Sequence, residues 1–255
     1  MTSKDNTYSS SWRDTFHSRG PSTLVIAVVV AVIIYEISKR HSFSTIDIVY
    51  FCALIIAVVF HEVSHGFVAY LCGDDTAKRA GRLTLNPIRH IDIFGSIIFP
   101  VIMILTVGVP FGWAKPVPVT INKLRSPRNQ AVLVGLVGPV TNIILAFLAG
   151  IIFKETANLY QLTYTPLNNW PIFELALFLF GEVNVLLACF NLLPIPPLDG
   201  SALLERILPR ELLLGYYKSR MYFMFFVLAV VILAPGFLDS VSRHALQYWG
   251  DILGF

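Results

Sequence analysis

Residues 46–72 read IDIVYFCALIIAVVFHEVSHGFVAYLC. As an α-helix this stretch is about 40 Å long, enough to cross the roughly 30 Å hydrocarbon core of a bilayer. It is apolar almost throughout, yet His61, Glu62 and His65 stand towards its C-terminal end. Ionisable groups at membrane depth are costly and mark function. The stretch therefore sets the fold class and the place to look for chemistry.

The rest of the chain agrees with that reading. Of its 255 residues, 55% are hydrophobic and 14% charged, with a mean hydropathy of +0.68; soluble domains carry about 25% charged residues. This excludes a disordered chain, a nucleic-acid binder with a basic face and a small secreted disulfide scaffold. Cys52, Cys72 and Cys189 lie far apart in apolar sequence and read as core or lipid-facing thiols, neither a disulfide framework nor a zinc site. Residues 1–20 are polar and Ser-rich, and are expected to be a disordered tail. The apolar run 21–35 starts too late for a cleaved signal peptide and reads as an anchor. Further apolar runs occupy residues 46–72, 93–109, 131–153, 172–193 and 221–237, with no internal repeat between them. Residues 21–237 form one membrane domain in this reading, and 238–255 an amphipathic helix at the interface. The expected fold is an all-α polytopic membrane protein of about five to six transmembrane helices.

Charge distribution chooses between five and six. If every run crosses, the 19 Lys and Arg divide ten to nine. If the third run, 93–109, dips in and returns, fifteen fall on one side and only Lys39, Arg40, Lys154 and Arg243 on the other. Positive residues gather on the cytoplasmic side, so the expected topology has five crossings with the N-terminus in the cytoplasm. Gly95, Pro100, Gly108 and Pro110 suit a re-entrant third run packed against protein.

The chemistry begins with His61-Glu62-Val63-Ser64-His65. Residues i and i+4 share a helix face, so both imidazoles reach one metal, and Glu62 stands beside them to take a proton from water. A catalytic zinc usually has three protein ligands and one open position. The extended metzincin pattern is absent, since Val68 and Leu71 occupy the positions it needs. The best third donor at this depth is Asp199, in Asn191-Leu192-Leu193-Pro194-Ile195-Pro196-Pro197-Leu198-Asp199-Gly200, although such a segment is often only a turn. The histidines lie towards the end of the second run and Asp199 just past the end of the fifth. To share a metal these helices must run the same way, so one of the two runs between them fails to cross. The charge count had already singled out the third.

These motifs resemble those of the site-2 protease family of intramembrane zinc metalloproteases. His61 to His65 and Asn191 to Gly200 match its two defining motifs, and Gly138-Pro139-Val140-Thr141-Asn142 resembles its third. With residues 81–87 and 111–119 the likeness spans about residues 45–210, without the PDZ and CBS domains of some relatives. The resemblance implies one Zn2+ held by His61, His65 and Asp199, Glu62 as general base and acid, and Asn191 supporting the oxyanion. It also implies a small membrane-embedded β element in residues 81–85 and 111–119, which would hold an unwound substrate by strand addition. Trp113 and Lys115 are then candidate substrate contacts, or else interfacial anchors. Asn142 and Asn184 read as hydrogen-bonding between helices, with substrate contact the alternative for Asn142. Glu182 needs a partner or a water pocket, Glu36 and Asp47 read as interfacial, and His90 and Asp92 as structural.

The function expected is hydrolysis of peptide bonds in or near transmembrane segments, with single-span membrane proteins as substrates and the lipid bilayer as medium. The expected location is the cell membrane, multi-pass, with the zinc site towards the cytoplasm. A membrane metal-ion transporter is the alternative from another class, and an inactive scaffold a third.

Overall fold

A computed structural model describes residues 44–99, 115–209 and 235–254, together with scattered positions from 211 to 230. The expected tail, the 21–35 anchor and Trp113 lie outside the described residues, as does most of the 221–237 run. The described residues are mostly helical, in the order α1 (Thr45–Leu71), α2 (Thr76–Arg79), α3 (Pro127–Thr156), α4 (Leu159–Thr163), α5 (Ile172–Asn191), α6 (Ser201–Ile207) and α7 (Pro235–Leu253).

Three of these, α1, α3 and α5, are long and apolar enough to cross a membrane, and each packs on the other two. Helix α1 starts at a reciprocal cap. The Ser44 hydroxyl accepts from the Asp47 N–H at 3.3 Å, while the Asp47 carboxylate accepts from the Ser44 N–H at 2.9 Å. It stops at Gly73, whose φ of +109° suits glycine. There the Gly73 N–H bonds Tyr70 O at 3.0 Å and the Asp74 N–H bonds Ala69 O at 2.9 Å, a Schellman closure.

Small residues let the backbones approach, as helix contacts in lipid require. Ala53 and Ala57 of α1 pack on Val183 of α5. Large apolar side chains such as Ile56, Phe67, Leu133, Leu148 and Phe173 remain exposed on the outer faces, where lipid rather than water would meet them. Cys52 is exposed, Cys72 buried and Cys189 half-buried, all as free thiols.

Side-chain contacts give the directions. His65 meets Val134 and His61 meets Asn142, so α1 and α3 are antiparallel. Asn142 meets Asn184 and Phe153 stacks near Trp170, so α3 and α5 are antiparallel too. Helices α1 and α5 thus run the same way, as a shared site requires. The Arg125 N–H donates to Cys72 O at 3.0 Å, so the chain between α1 and α3 leaves and returns at one end of the bundle. Within it, Ile93–Ile98 forms a wide helical turn capped by Asp92; residues 100–114 lie outside the described residues.

Two expectations take a different form. No strand occurs among the described residues: residues 81–85 run through a turn and bends, and 115–119 carry no regular secondary structure. The local reasons are Gly81 at φ +64° and the prolines at 116 and 118, which lack N–H groups. The C-terminal helix is present as α7, but docked against α3 and α5. Its Trp249 fills a notch made by Gly150 and Gly181, and its indole N–H donates to Ala146 O at 3.2 Å.

Candidate metal centre

His61 and His65, one turn apart on α1, are both buried, with their rings edge-on at 4.7 Å between centroids. Each ring is fixed through Nδ1. His61 Nδ1 lies 2.5 Å from Asn142 Oδ1 and His65 Nδ1 lies 2.5 Å from Val134 O. Both partners are acceptors, so both Nδ1 atoms carry the proton, and both Nε2 atoms keep a bare lone pair. The orientation of the Asn142 amide is fixed in turn. Its Nδ2 donates to Asn184 Oδ1 at 2.7 Å, and Asn184 Nδ2 donates to Phe180 O at 2.7 Å, with both side chains fully buried.

Gly138 makes room for the rings. A Cβ there would stand 2.4 Å from His65 Nε2 and 2.7 Å from His61 Nε2. Asn142 follows one turn later on the same face of α3, so the 138–142 motif has a physical meaning: clearance, then an acceptor.

The third donor arrives from the loop after α5. The Gly200 N–H donates to Asn191 O at 2.6 Å, closing the loop, and the Ala202 N–H donates to Asp199 O at 3.0 Å as α6 begins. Gly135 of α3 admits that segment, since a Cβ there would meet Ala202 Cβ at 2.6 Å and Asp199 O at 3.2 Å. Asp199 Oδ2 then lies 2.9 Å from His61 Nε2 and 3.3 Å from His65 Nε2, while the two Nε2 atoms are 3.1 Å apart.

Three electron-pair donors thus converge, and with the tautomers fixed none brings a proton to share. Asp199 Oδ2 is buried with no hydrogen-bond donor. A cation resolves that arrangement. Two imidazoles and one carboxylate suit Zn2+ and leave a fourth position open for water or substrate. These three residues are the group among the described residues able to hold a metal ion.

Glu62 lies alongside, its Oε2 accepting from the Val117 N–H at 2.8 Å. Asn191, at the end of α5, turns its amide back onto Leu187 O at 3.0 Å. Lys115 is exposed, and its N–H donates to His90 O at 2.9 Å. His90 is buried, with Nε2 at 2.8 Å from Thr84 O, outside the donor cluster as expected. Asp74 is fully buried and accepts from the Thr76 N–H at 3.0 Å and the Thr120 N–H at 2.5 Å. Burial again opposes ionisation, but hydrogen bonds from Thr76 and Thr120, with Lys123 nearby, hold its carboxyl below the usual range. Sequence reasoning missed the Val134 carbonyl, the Val117 N–H and Asp74. Backbone groups leave no residue-type signal, and Asp74 reads as an ordinary loop acid.

The model of Peptidase family M50 matches residues 49–233. The chain is 42% identical over 156 residues to "Putative zinc metalloprotease YwhC" of Bacillus subtilis, covering 61% of this chain and 67% of that one. It is 27% identical over 233 residues to "Putative zinc metalloprotease Rip2" of Mycolicibacterium smegmatis, covering 89% and 83%. The protein of the same name from Mycobacterium tuberculosis is 30% identical over 181 residues, covering 71% and 65%. No solved structure matches the chain.

Proposed function

The chain belongs to peptidase family M50, and from that premise we propose that it is an intramembrane zinc endopeptidase cleaving single-span membrane proteins in or near their transmembrane segments. The observation that carries the reading is the convergence of His61 Nε2, His65 Nε2 and Asp199 Oδ2, with Glu62 beside them on the same helix turn. Zinc is the metal that the relatives' names carry. His61, His65 and Asp199 would hold it, and when bound it supplies Lewis-acid polarisation of a water and of the scissile carbonyl.

The chain's own residues do the rest. Glu62 takes the proton of the attacking water on a carboxylate oxygen and returns it to the leaving amine nitrogen. The Asn191 amide, once released from Leu187 O, donates to the oxygen on which charge develops. Asn142 and Val134 hold the two histidine tautomers throughout, and Asn142 acts on the site through His61 rather than by touching substrate.

A helical substrate hides its carbonyls in i→i−4 bonds and must unwind before attack. The run 115–119, whose Val117 N–H meets Glu62, is the surface along which we place the unwound segment, with Lys115 and Trp113 as its candidate contacts. The membrane setting rests on the length and hydropathy of α1, α3 and α5. The return of the chain from Cys72 to Arg125 supports a third run that turns back, and with it the five-crossing topology. The fifteen-to-four division of Lys and Arg supports a site towards the cytoplasm.

The test is metal content and cleavage measured together on purified protein in detergent, with a panel of single-span substrates. About one zinc per chain is expected, kept in an inactive Glu62→Gln variant and lost in Asp199→Ala. Zinc retained by Asp199→Ala, or cleavage surviving Glu62→Gln, overturns the mechanism and favours the transporter.

A further inference from the structure

Nothing on its own helix fixes where the Glu62 carboxylate points; it is held from outside. The Val117 N–H donates to Glu62 Oε2 at 2.8 Å. Val117 lies between Pro116 and Pro118, so it carries the single amide N–H at the centre of the run. Its side chain is buried and keyed into α1 at Gly66, one helical turn beyond Glu62. A Cβ on Gly66 would come within 2.7 Å of Val117 Cγ1 and 2.8 Å of Leu83 Cδ2. The residue therefore grips one face of α1 at two points, by its N–H at position 62 and by its methyl at position 66.

Both ends of the run are tied as well. The Lys115 N–H is on His90 O at 2.9 Å. At the other end the Thr120 N–H is on the buried Asp74 carboxylate at 2.5 Å, and the Thr76 and Thr120 hydroxyls meet at 3.0 Å. Asp74 is itself fixed by the closure that ends α1 at Ala69. The run is thus anchored to the helix that carries His61, Glu62 and His65.

We propose that Val117 is a positioning residue for hydrolysis: its backbone N–H orients the Glu62 carboxylate, and the Gly66 notch and the Asp74 tie set the place of that N–H. The proposal rests on the reading of Glu62 as the proton carrier. With Oε2 engaged by Val117, Oε1 is the oxygen left to meet the water. A carboxylate held in one orientation is spared the loss of rotamer freedom at the moment of reaction.

The test reads the contact and its consequence separately, on the full chain in detergent. Amide exchange at Val117 is expected to be slow in wild type and in Glu62→Gln, which keeps an acceptor. It should rise ~10-fold in Glu62→Ala and in Gly66→Ala, as loss of one hydrogen bond implies. With unstructured casein as probe, Gly66→Ala should lower kcat ~10-fold at unchanged KM and zinc content, as expected when the base is misplaced. Adding Val117→Ala, which keeps the N–H and removes the clashing methyl, should restore part of that loss. Equal exchange at Val117 in wild type and Glu62→Ala overturns the proposal, as does an unchanged kcat in Gly66→Ala. Cleavage of casein by Glu62→Gln at the wild-type rate would instead sink the functional reading while leaving the Val117 contact intact.

Discussion

The metal centre and the Trp249 dock are built in the same way against α3, with glycine at the point of closest approach. At the centre, Gly138 clears space for two imidazoles. At the dock, Gly150 and Gly181 clear space for one indole. The difference lies in what polarity remains. The indole N–H is satisfied by Ala146 O, so the dock is a packing contact. At the centre the Nδ1 protons are satisfied, but two Nε2 lone pairs and Asp199 Oδ2 point at one another. Close approach through glycine is thus general in this bundle, and the unshared lone pairs distinguish a site from a joint.

Gly138→Ala tests the comparison hardest. A Cβ 2.4 Å from His65 Nε2 leaves the backbone or the ring to move, so zinc affinity should fall at least ~100-fold, beyond what loss of an outer-shell partner usually costs. Metal content after dialysis against a weak chelator measures this, and zinc retained at the wild-type level would erase the distinction between the two regions. Gly181→Ala should act on the other region alone. Its Cβ would stand 2.4 Å from the rigid Trp249 ring, costing about 1–3 kcal/mol as overpacking does. A lower melting temperature and altered tryptophan fluorescence are expected, with zinc content unchanged; loss of zinc would mean that the two regions are coupled.

The smallest effect concerns the tie at Asp74. Its carboxyl is held below the usual range in the folded chain, so its contribution to stability is present above the unfolded value and is lost as pH falls through the folded one. Asp74→Asn should therefore lower the melting temperature of metal-free protein at pH 7, by an amount equivalent to ~1 kcal/mol for a weakened charged hydrogen bond. The gap to wild type should close below the ordinary carboxylate range. A gap independent of pH would mean that the charge of Asp74 is not what holds Thr120.

Much of this was legible before folding. The i, i+4 spacing of His61 and His65 places two rings on one face whatever surrounds the helix. Asp199 stands out as the best remaining donor at that depth, and sharing a metal then requires its helix to run the same way as α1, as it does. The expectation that Asn142 and Asn184 hydrogen-bond between helices holds, and the structure makes them each other's partners, since a buried amide in an apolar helix has few others. The β element was less legible, because the alternation of residues 81–85 does not show that Gly81 turns the chain at φ +64°, and the prolines at 116 and 118 remove N–H groups a ladder needs. The amphipathic pattern of residues 238–255 specified a helix with one apolar face, but not that this face meets α3 and α5.

By itself, then, the sequence determined the helices long and apolar enough to cross a membrane, the histidine pair with its glutamate, and the relative direction two helices must take if they share a metal. These depend on composition and on periodicities built into a single helix. Only the tertiary structure decided that both histidines protonate at Nδ1, that Gly138 rather than Asn142 stands against the rings' Nε2 atoms, and that a backbone N–H at Val117 holds Glu62. Those features arise from carbonyls, amides and missing Cβ atoms. Such groups occur in nearly every residue, and packing alone selects which of them meet.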